Sequence, residues 1–262
     1  MATQSLTTDW GACSAIFAAI PRNSSYSSVT LKIAVLIPAY QAETSVADVV
    51  REVLEAAARA EMQLPVWVVD DGSSDATWSV ARDAGAHILR HPSNRGKGSA
   101  LLTGFRALLE SGFDAAVTVD ADGQHPAAEA LRLASYPASP TALVLGIRDL
   151  CRDGAPKNSQ FSNSISNRFL SLFTGQHLRD TQCGLRRYPL AETLRLRLKS
   201  PGYAFESEVI LRAARAGYAI EQVPVHVFYP EPSKRMTHFH NVRDPARIVF
   251  RVLGTWLDPR TP

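Results

Sequence analysis

The amino-acid sequence predicts an α/β fold, a mostly parallel sheet covered by helices on both faces. Two observations carry this. Short continuous apolar runs alternate with segments of helical periodicity, as they do when each strand is buried on both faces and the chain returns through a helix. Several apolar runs also end in carboxylate-bearing turns, and an open α/β sheet gathers its ligands at the carboxyl ends of its strands.

Taken in order, residues 1–30 are rich in Ser and Thr without a sustained period and read as a loose leader. LKIAVLIP, ended by Pro38, is the first strand, and SVADVVREVLEAAARA is a helix of good helix formers. VWVVDDGSSD holds a second strand, followed by the short helix ATWSVARDA, before which Asp75 serves as a cap. AHILRHP is a third strand, GKGSALLTGFRALLESG a helix closed by Gly112, and DAAVTVDADG a fourth strand. TALVLGIR is a further strand and SNSISNRFLSLFTG a helix ended by Gly175. SEVILRAARAG is a helix ended by Gly217, and AIEQVPVHVFY closes the domain as a strand. No internal repeat or linker divides residues 31–230.

The chain has 262 residues, 45% of them hydrophobic, enough for one large domain with its own core. A net charge of +3 is too weak to imply a nucleic-acid partner. Cys13, Cys151 and Cys183 are an odd number without a CxxC pair, so no disulfide framework or thiolate metal site is expected and a reducing, cytoplasmic setting fits. GACSAIFAAI (11–20) is too short to span a bilayer. In RIVFRVLGTWL, Ile248, Val249, Val252, Leu253 and Trp256 recur at helical spacing, so residues 231–262 are expected to supply a basic loop and an amphipathic helix that packs on the domain or lies on a membrane surface.

Three polar clusters follow strands: PAYQAE, VVDDGSSD and TVDADGQHP. The third is the most informative. Asp120 and Asp122, at i and i+2, would point the same way on a regular strand, with a turn at Gly123, so both can approach one hard divalent cation. Oxygen ligands suit Mg²⁺ or Mn²⁺, and Gln124 can add a carbonyl oxygen. Such an ion would neutralise a departing diphosphate.

The ordered set IPAYQAE, VVDDGSSD, NRGKGSALLTGF, VDADGQHP and DTQCGLRRY resembles family 2 glycosyltransferases, most closely the dolichyl-phosphate and polyprenyl-phosphate mannose or glucose synthases. The resemblance implies a GT-A type, Rossmann-like fold, a GDP-mannose or UDP-glucose type of donor, Mg²⁺ or Mn²⁺, a polyprenyl phosphate acceptor and inversion at the anomeric carbon. It places Pro38, Ala39, Tyr40 and Glu43 along the nucleoside, Asp71 at the base with Asp70 beside it, and Gly96 and Lys97 in a loop near the nucleotide. Asp120, Asp122 and Gln124 match the metal-and-nucleotide motif.

On the acceptor side the resemblance puts Arg148 and Arg168 toward phosphate groups, and Asp180, Gln182 and Arg186 in the sugar and acceptor pocket. Cys183 reads as a small buried residue. Glu206 and Glu208 match acidic positions near the donor sugar or acceptor, or else pair with Arg212 at helical spacing. Lys234 and Arg235, after Ser233, fall where related enzymes carry a basic loop over the diphosphate, a reading preferred to a metal site at His238 and His240. Two departures stand out. Gln41 and an extra alanine precede Glu43, and membrane helices are not evident, so membrane contact is expected to be peripheral at most. A hydroxyl of a lipid-like, phenolic or pigment acceptor is the alternative, and would need a general base, with Glu206 or Glu208 as candidates. A nucleotidyltransferase is disfavoured because IPAYQAE lacks a glycine-rich basic loop, and an inactive nucleotide-binding scaffold because both aspartates are present.

Overall fold

The computed structural model describes residues 30–202 and 204–229. The leader, the basic loop with Lys234 and Arg235, and the C-terminal amphipathic segment lie outside the described residues. The elements run β1 (Ile33–Ala39), α1 (Val46–Arg59), β2 (Val66–Asp70), α2 (Thr77–Asp83), β3 (His87–Arg90), α3 (Lys97–Glu110) and β4 (Ala115–Thr118). They continue through α4 (Ala127–Ala134), β5 (Leu143–Arg148), α5 (Lys157–Thr174), β6 (Arg186–Pro189), α6 (Leu190–Arg195), α7 (Ala204–Arg215) and β7 (Ile220–Val225).

The strands form one sheet in the order β3-β2-β1-β4-β6-β5-β7. All pairs are parallel except those of β6, which runs antiparallel between β4 and β5. Helices cover both faces. Val46, Val49, Val50 and Val53 of α1 pack one side with Leu133 of α4, while Leu101, Phe105 and Leu108 of α3 pack the other with Leu170, Leu190 and Ile210. This is the expected α/β architecture, a mostly parallel sheet covered by helices on both faces.

The chain moves outward from β1 to β2 and β3, then returns to the other side of β1 as β4. The gap beyond the carboxyl ends of β1 and β4 is therefore the topological switch point, where an open α/β sheet opens a crevice. Three elements were not read from the sequence: α4, β6 and α6. For β6 the reason is its arginines. Arg186 and Arg187 are buried, which a strand tolerates only when each guanidinium finds acceptors. Arg187 Nη1 donates to the carbonyls of Leu133 (3.2 Å) and Tyr136 (2.7 Å) at the end of α4.

Candidate active site

The site is built around the turn after β4. Instead of continuing as a strand through the two acids, as the sequence suggested, β4 ends at Thr118, and Asp120 and Asp122 sit on the following turn. Their approach therefore comes from the turn and not from strand alternation. Gly123 adopts a left-handed φ of 73°, and Asp122 Oδ1 accepts the amide of Gln124 at 3.0 Å. The turn is tied to its neighbours: Ser45 Oγ donates to the carbonyl of Ala121 (2.6 Å), and Phe228 N to that of Gln124 (2.8 Å).

Lys97, the first residue of α3, reaches into this turn. Its Nζ lies 2.6 Å from Asp120 Oδ1 and 2.9 Å from Glu206 Oε1. Two glycines make that reach possible. A Cβ at Gly98 would stand 2.4 Å from the Ser200 carbonyl oxygen, and one at Gly96, where φ is 92°, 2.5 Å from that of Pro201. Only glycine lets the start of α3 lie this close to the approach to α7. Burial pushes the Lys97 ammonium down, but Asp120 and then Glu206 outweigh it and hold the group well above the ordinary lysine value. Burial likewise pushes the Asp120 carboxyl up, yet Lys97 and then His125 bring it below the usual carboxylate range. His125 Nε2 stands 3.4 Å from Asp120 Oδ2. Asp122 moves the opposite way. Although its surface is open to solvent, surrounding protein and then the charge of Asp120 raise it.

Asp120 also rests on Gly184. A Cβ there would lie 2.2 Å from Asp120 Oδ2, so the carboxylate fills the space a side chain would take. Gly184 lies within DTQCGLRRY but had no signal of its own in the sequence.

At the ends of β2 and β3, a cleft of about 360 Å³ is lined by Gly72, Ser73, Arg90, His91 and Pro92. Tyr40 is exposed at the neighbouring rim, with Pro38 half-buried and Ala39 buried. Arg90 and His91 were missed, although they follow an apolar run as the other rim clusters do. Asp70 and Asp71, expected at the base, are turned inward and buried. Asp70 Oδ1 accepts the amide of Ser73 (2.9 Å) and Oδ2 pairs with Arg90 (3.1 Å). Asp71 accepts the amides of Arg95 (3.0 Å) and Gly96 (2.7 Å) and binds His91 Nδ1 (2.6 Å). These acids shape the loop that presents Lys97. Glu43 is likewise engaged, its Oε2 accepting the amide of Ala76 at 2.9 Å. Asp75 binds the first helical amide of α2, Thr77 N, at 3.0 Å.

On the far side, Arg148 forms a two-pronged pair with Asp180, Nε to Oδ2 at 2.7 Å and Nη2 to Oδ1 at 3.0 Å, while Nη1 donates to Tyr229 Oη at 3.2 Å. Gln182 donates its amide to Asp180 Oδ1 (3.1 Å). Arg186, expected in the sugar and acceptor pocket, is instead sealed in the interior: its nitrogens donate to the carbonyls of Cys183 (2.8 Å), Glu206 (3.0 Å) and Thr181 (2.8 Å). Glu208 takes the second of its two expected readings. It pairs with Arg212 Nε (2.8 Å) and accepts the amide of Ser200 (2.8 Å), away from solvent. Arg168 is exposed on the side of α5 opposite its buried residues, not among these groups.

The profile of glycosyl transferase family 2 matches residues 34–194. The chain belongs to that family. It is a glycosyltransferase, and similar proteins span several acceptors. One is an undecaprenyl-phosphate mannosyltransferase of Micrococcus luteus, 35% identical over 173 residues that cover 61% of this chain and 70% of the relative. Another is a polyprenol monophosphomannose synthase of Mycolicibacterium smegmatis, 28% identical with 75% and 77% covered. Among solved structures, glucosyl-3-phosphoglycerate synthase of M. tuberculosis superimposes with a TM-score of 0.65 at 20% identity, over 87% of this chain and 80% of that one, which establishes the shared fold. The same enzyme has been solved with Mn²⁺, UDP and phosphoglyceric acid.

The carboxylates of this family 2 glycosyltransferase suit a hard divalent cation. Asp122 is driven up in part by Asp120, a repulsion that a shared cation relieves. No cluster of three or more His, Cys, Asp or Glu ligands occurs among the described residues. Such a sparse oxygen set fits an ion that keeps waters and substrate phosphates in its shell, as Mg²⁺ does. Cys183 is buried and its thiol is pushed up to about 12 by burial, so it serves packing and not nucleophilic attack.

The Arg148–Asp180 pair yields a stability prediction. Burial pushes Asp180 up, but Arg148 outweighs it and depresses the carboxyl. The stabilisation is therefore present above the unfolded aspartate value and is lost as pH falls through the lower folded one. Asp180→Asn should cost about 3 kcal/mol at neutral pH by leaving a buried guanidinium without its carboxylate. In urea titrations across acidic pH the gap to wild type should shrink toward low pH; an unchanged wild-type curve would contradict the pair's role.

Proposed function

We propose that this glycosyltransferase moves a hexose, with inversion, from a nucleotide-diphosphate sugar of the GDP-mannose or UDP-glucose type to a polyprenyl phosphate. The observation that carries the reading is the charge cluster at the β1/β4 switch point: Asp122 beside an Asp120 and a Glu206 that share Lys97. Asp120 and Asp122, with the side-chain oxygen of Gln124, would hold Mg²⁺ or Mn²⁺. When bound, such an ion supplies Lewis-acid neutralisation of the diphosphate.

The reaction is a direct displacement. An anionic acceptor oxygen attacks the anomeric carbon, a carbon–oxygen bond forms, and the bond to the diphosphate breaks with its electron pair leaving on the nucleoside diphosphate. Lys97 supplies a preorganised positive charge where negative charge develops. Tyr40 and the cleft at Arg90 receive the nucleoside end. Arg148, held by Asp180, faces the acceptor phosphate, and Lys234 and Arg235 are proposed to close over the diphosphate. A hydroxyl acceptor would need a general base. Glu206 is already engaged by Lys97, which suits an acceptor that arrives charged. The names of the similar undecaprenyl- and polyprenyl-phosphate enzymes support the same acceptor class.

The test is release of nucleoside diphosphate from a panel of GDP- and UDP-sugars, in Mn²⁺ or Mg²⁺ and in EDTA, with and without a short polyprenyl phosphate. Release that needs both the metal and the lipid phosphate is expected. Release of equal size without the lipid phosphate would refute this acceptor, and release in EDTA would refute the metal.

A further inference from the structure

Helix α5 presents two unlike faces. One flank of it is a bed for the acceptor-side turn: Asn167 Oδ1 accepts the amide of Thr181 (2.9 Å), Asn167 Nδ2 donates to the carbonyl of Arg179 (2.6 Å), and Ser171 Oγ accepts the amide of Leu178 (2.9 Å). That turn carries Asp180, which in turn holds Arg148. Its outer face is apolar and exposed. Phe161 is 70% exposed, Ile165 40% and Leu172 78%. With Lys157 and Arg168, both also exposed, these residues are spaced by three or four and form one stripe along the helix.

The stripe's charge selects its partner. In 18 residues α5 contains no Asp or Glu, so both charges on its outer face are positive. Large apolar side chains flanked by Lys and Arg match an anionic bilayer surface, where the apolar groups enter the headgroup boundary and the cations snorkel to phosphates. No helix among the described residues is long and apolar enough to cross a membrane, so contact through α5 would be interfacial.

We infer that the outer face of α5 docks on an anionic lipid surface, bringing the Arg148–Asp180 side of the site to the headgroup layer. The inference rests on the lipid-phosphate reading, because only an acceptor embedded in lipid requires that approach. The helix is about 27 Å long at 1.5 Å per residue, enough to lie along the interface as one rigid strip. The tail of an embedded acceptor could then remain in the bilayer while its phosphate meets Arg148.

The experiment is co-sedimentation of the full chain with vesicles of phosphatidylcholine alone and of equimolar phosphatidylcholine and phosphatidylglycerol. Wild type is expected to bind the anionic vesicles preferentially, and Phe161→Ser with Leu172→Ser to weaken that binding by about tenfold or more. The double variant should keep its circular dichroism spectrum and its turnover of a short, water-soluble polyprenyl phosphate. Equal vesicle binding by variant and wild type overturns the inference, as does wild-type binding indifferent to phosphatidylglycerol. A dimer in light scattering that the variant converts to monomer would instead assign the face to a second copy. Variant-sensitive vesicle binding without turnover of any polyprenyl phosphate would leave the surface standing and sink the acceptor reading. Turnover of that acceptor without such binding would do the reverse.

Discussion

Gly184→Ala is expected to remove most of the metal-dependent activity while leaving the protein folded. The added methyl carbon would stand 2.2 Å from Asp120 Oδ2 and 2.7 Å from its Cγ, so the carboxylate must move. The backbone has no reason to refuse alanine, because Gly184 is not among the glycines with positive φ. Its position is held by Thr118 Oγ1, which donates to the Gly184 carbonyl at 2.6 Å, so the strain falls on the Asp120 side chain and not on β4. Displacing a group that orients a ligand costs metal affinity about tenfold to hundredfold, and misplacing the charge it helps set costs a similar factor in turnover. Titration of Mn²⁺ against nucleoside diphosphate release should show a raised metal requirement, with Asp122→Ala as the reference for full loss and a cooperative thermal transition as the control for folding. Wild-type metal affinity in the alanine variant would mean that Asp120 does not set the metal's position.

The architecture was legible because its elements obey strong rules. β1 is an uninterrupted buried apolar run, α1 carries valines at helical spacing, and Gly112, Gly175 and Gly217 close their helices with left-handed φ. What stayed hidden depended on partners distant in sequence. The strand β6 reads as polar because RRYP carries two arginines, and becomes intelligible only once the carbonyls of residues 133–136 and of Thr181, Cys183 and Glu206 are seen to receive them.

The site divides the same way. Asp120, Asp122, Lys97 and Glu206 were named from motifs, and their convergence follows from the strand order. The sequence could not tell which acids face outward. Asp70 and Asp71 look like rim ligands in one dimension, yet both are consumed by local amides, Arg90 and His91. Glu206 and Glu208 are two residues apart on one helix, so they point to different sides: one meets Lys97, the other Arg212. Helical phase separates them where motif resemblance could not.

Lys97→Met tests whether that ammonium is the fixed cation of the site. Removing it leaves Asp120 and Glu206 facing one another without their shared positive charge, and should cost about 2–3 kcal/mol at neutral pH, discounted for the partial exposure of the cluster. The pH dependence has a definite sign. In wild type the depressed Asp120 contributes stability that is present above the unfolded aspartate value and lost as pH falls through the folded one. The raised Lys97 contributes stability that is present below the unfolded lysine value and lost as pH rises through the folded one. Their joint contribution is thus flat between about pH 4 and pH 10. In the variant Asp120 loses the charge that depressed it, so the gap to wild type should be small in acid and open as pH rises past the carboxylate range. Mn²⁺ or Mg²⁺ should narrow that gap, because a ligand that binds only the folded state stabilises in proportion to its occupancy and meets more uncompensated negative charge in the variant. Activity should fall by about a hundredfold or more if Lys97 also meets the departing diphosphate. Thermal melts across pH with and without metal, beside turnover assays, separate the outcomes: a variant that binds metal more tightly and keeps its turnover would make Lys97 a competitor of the metal and not a contributor to transfer.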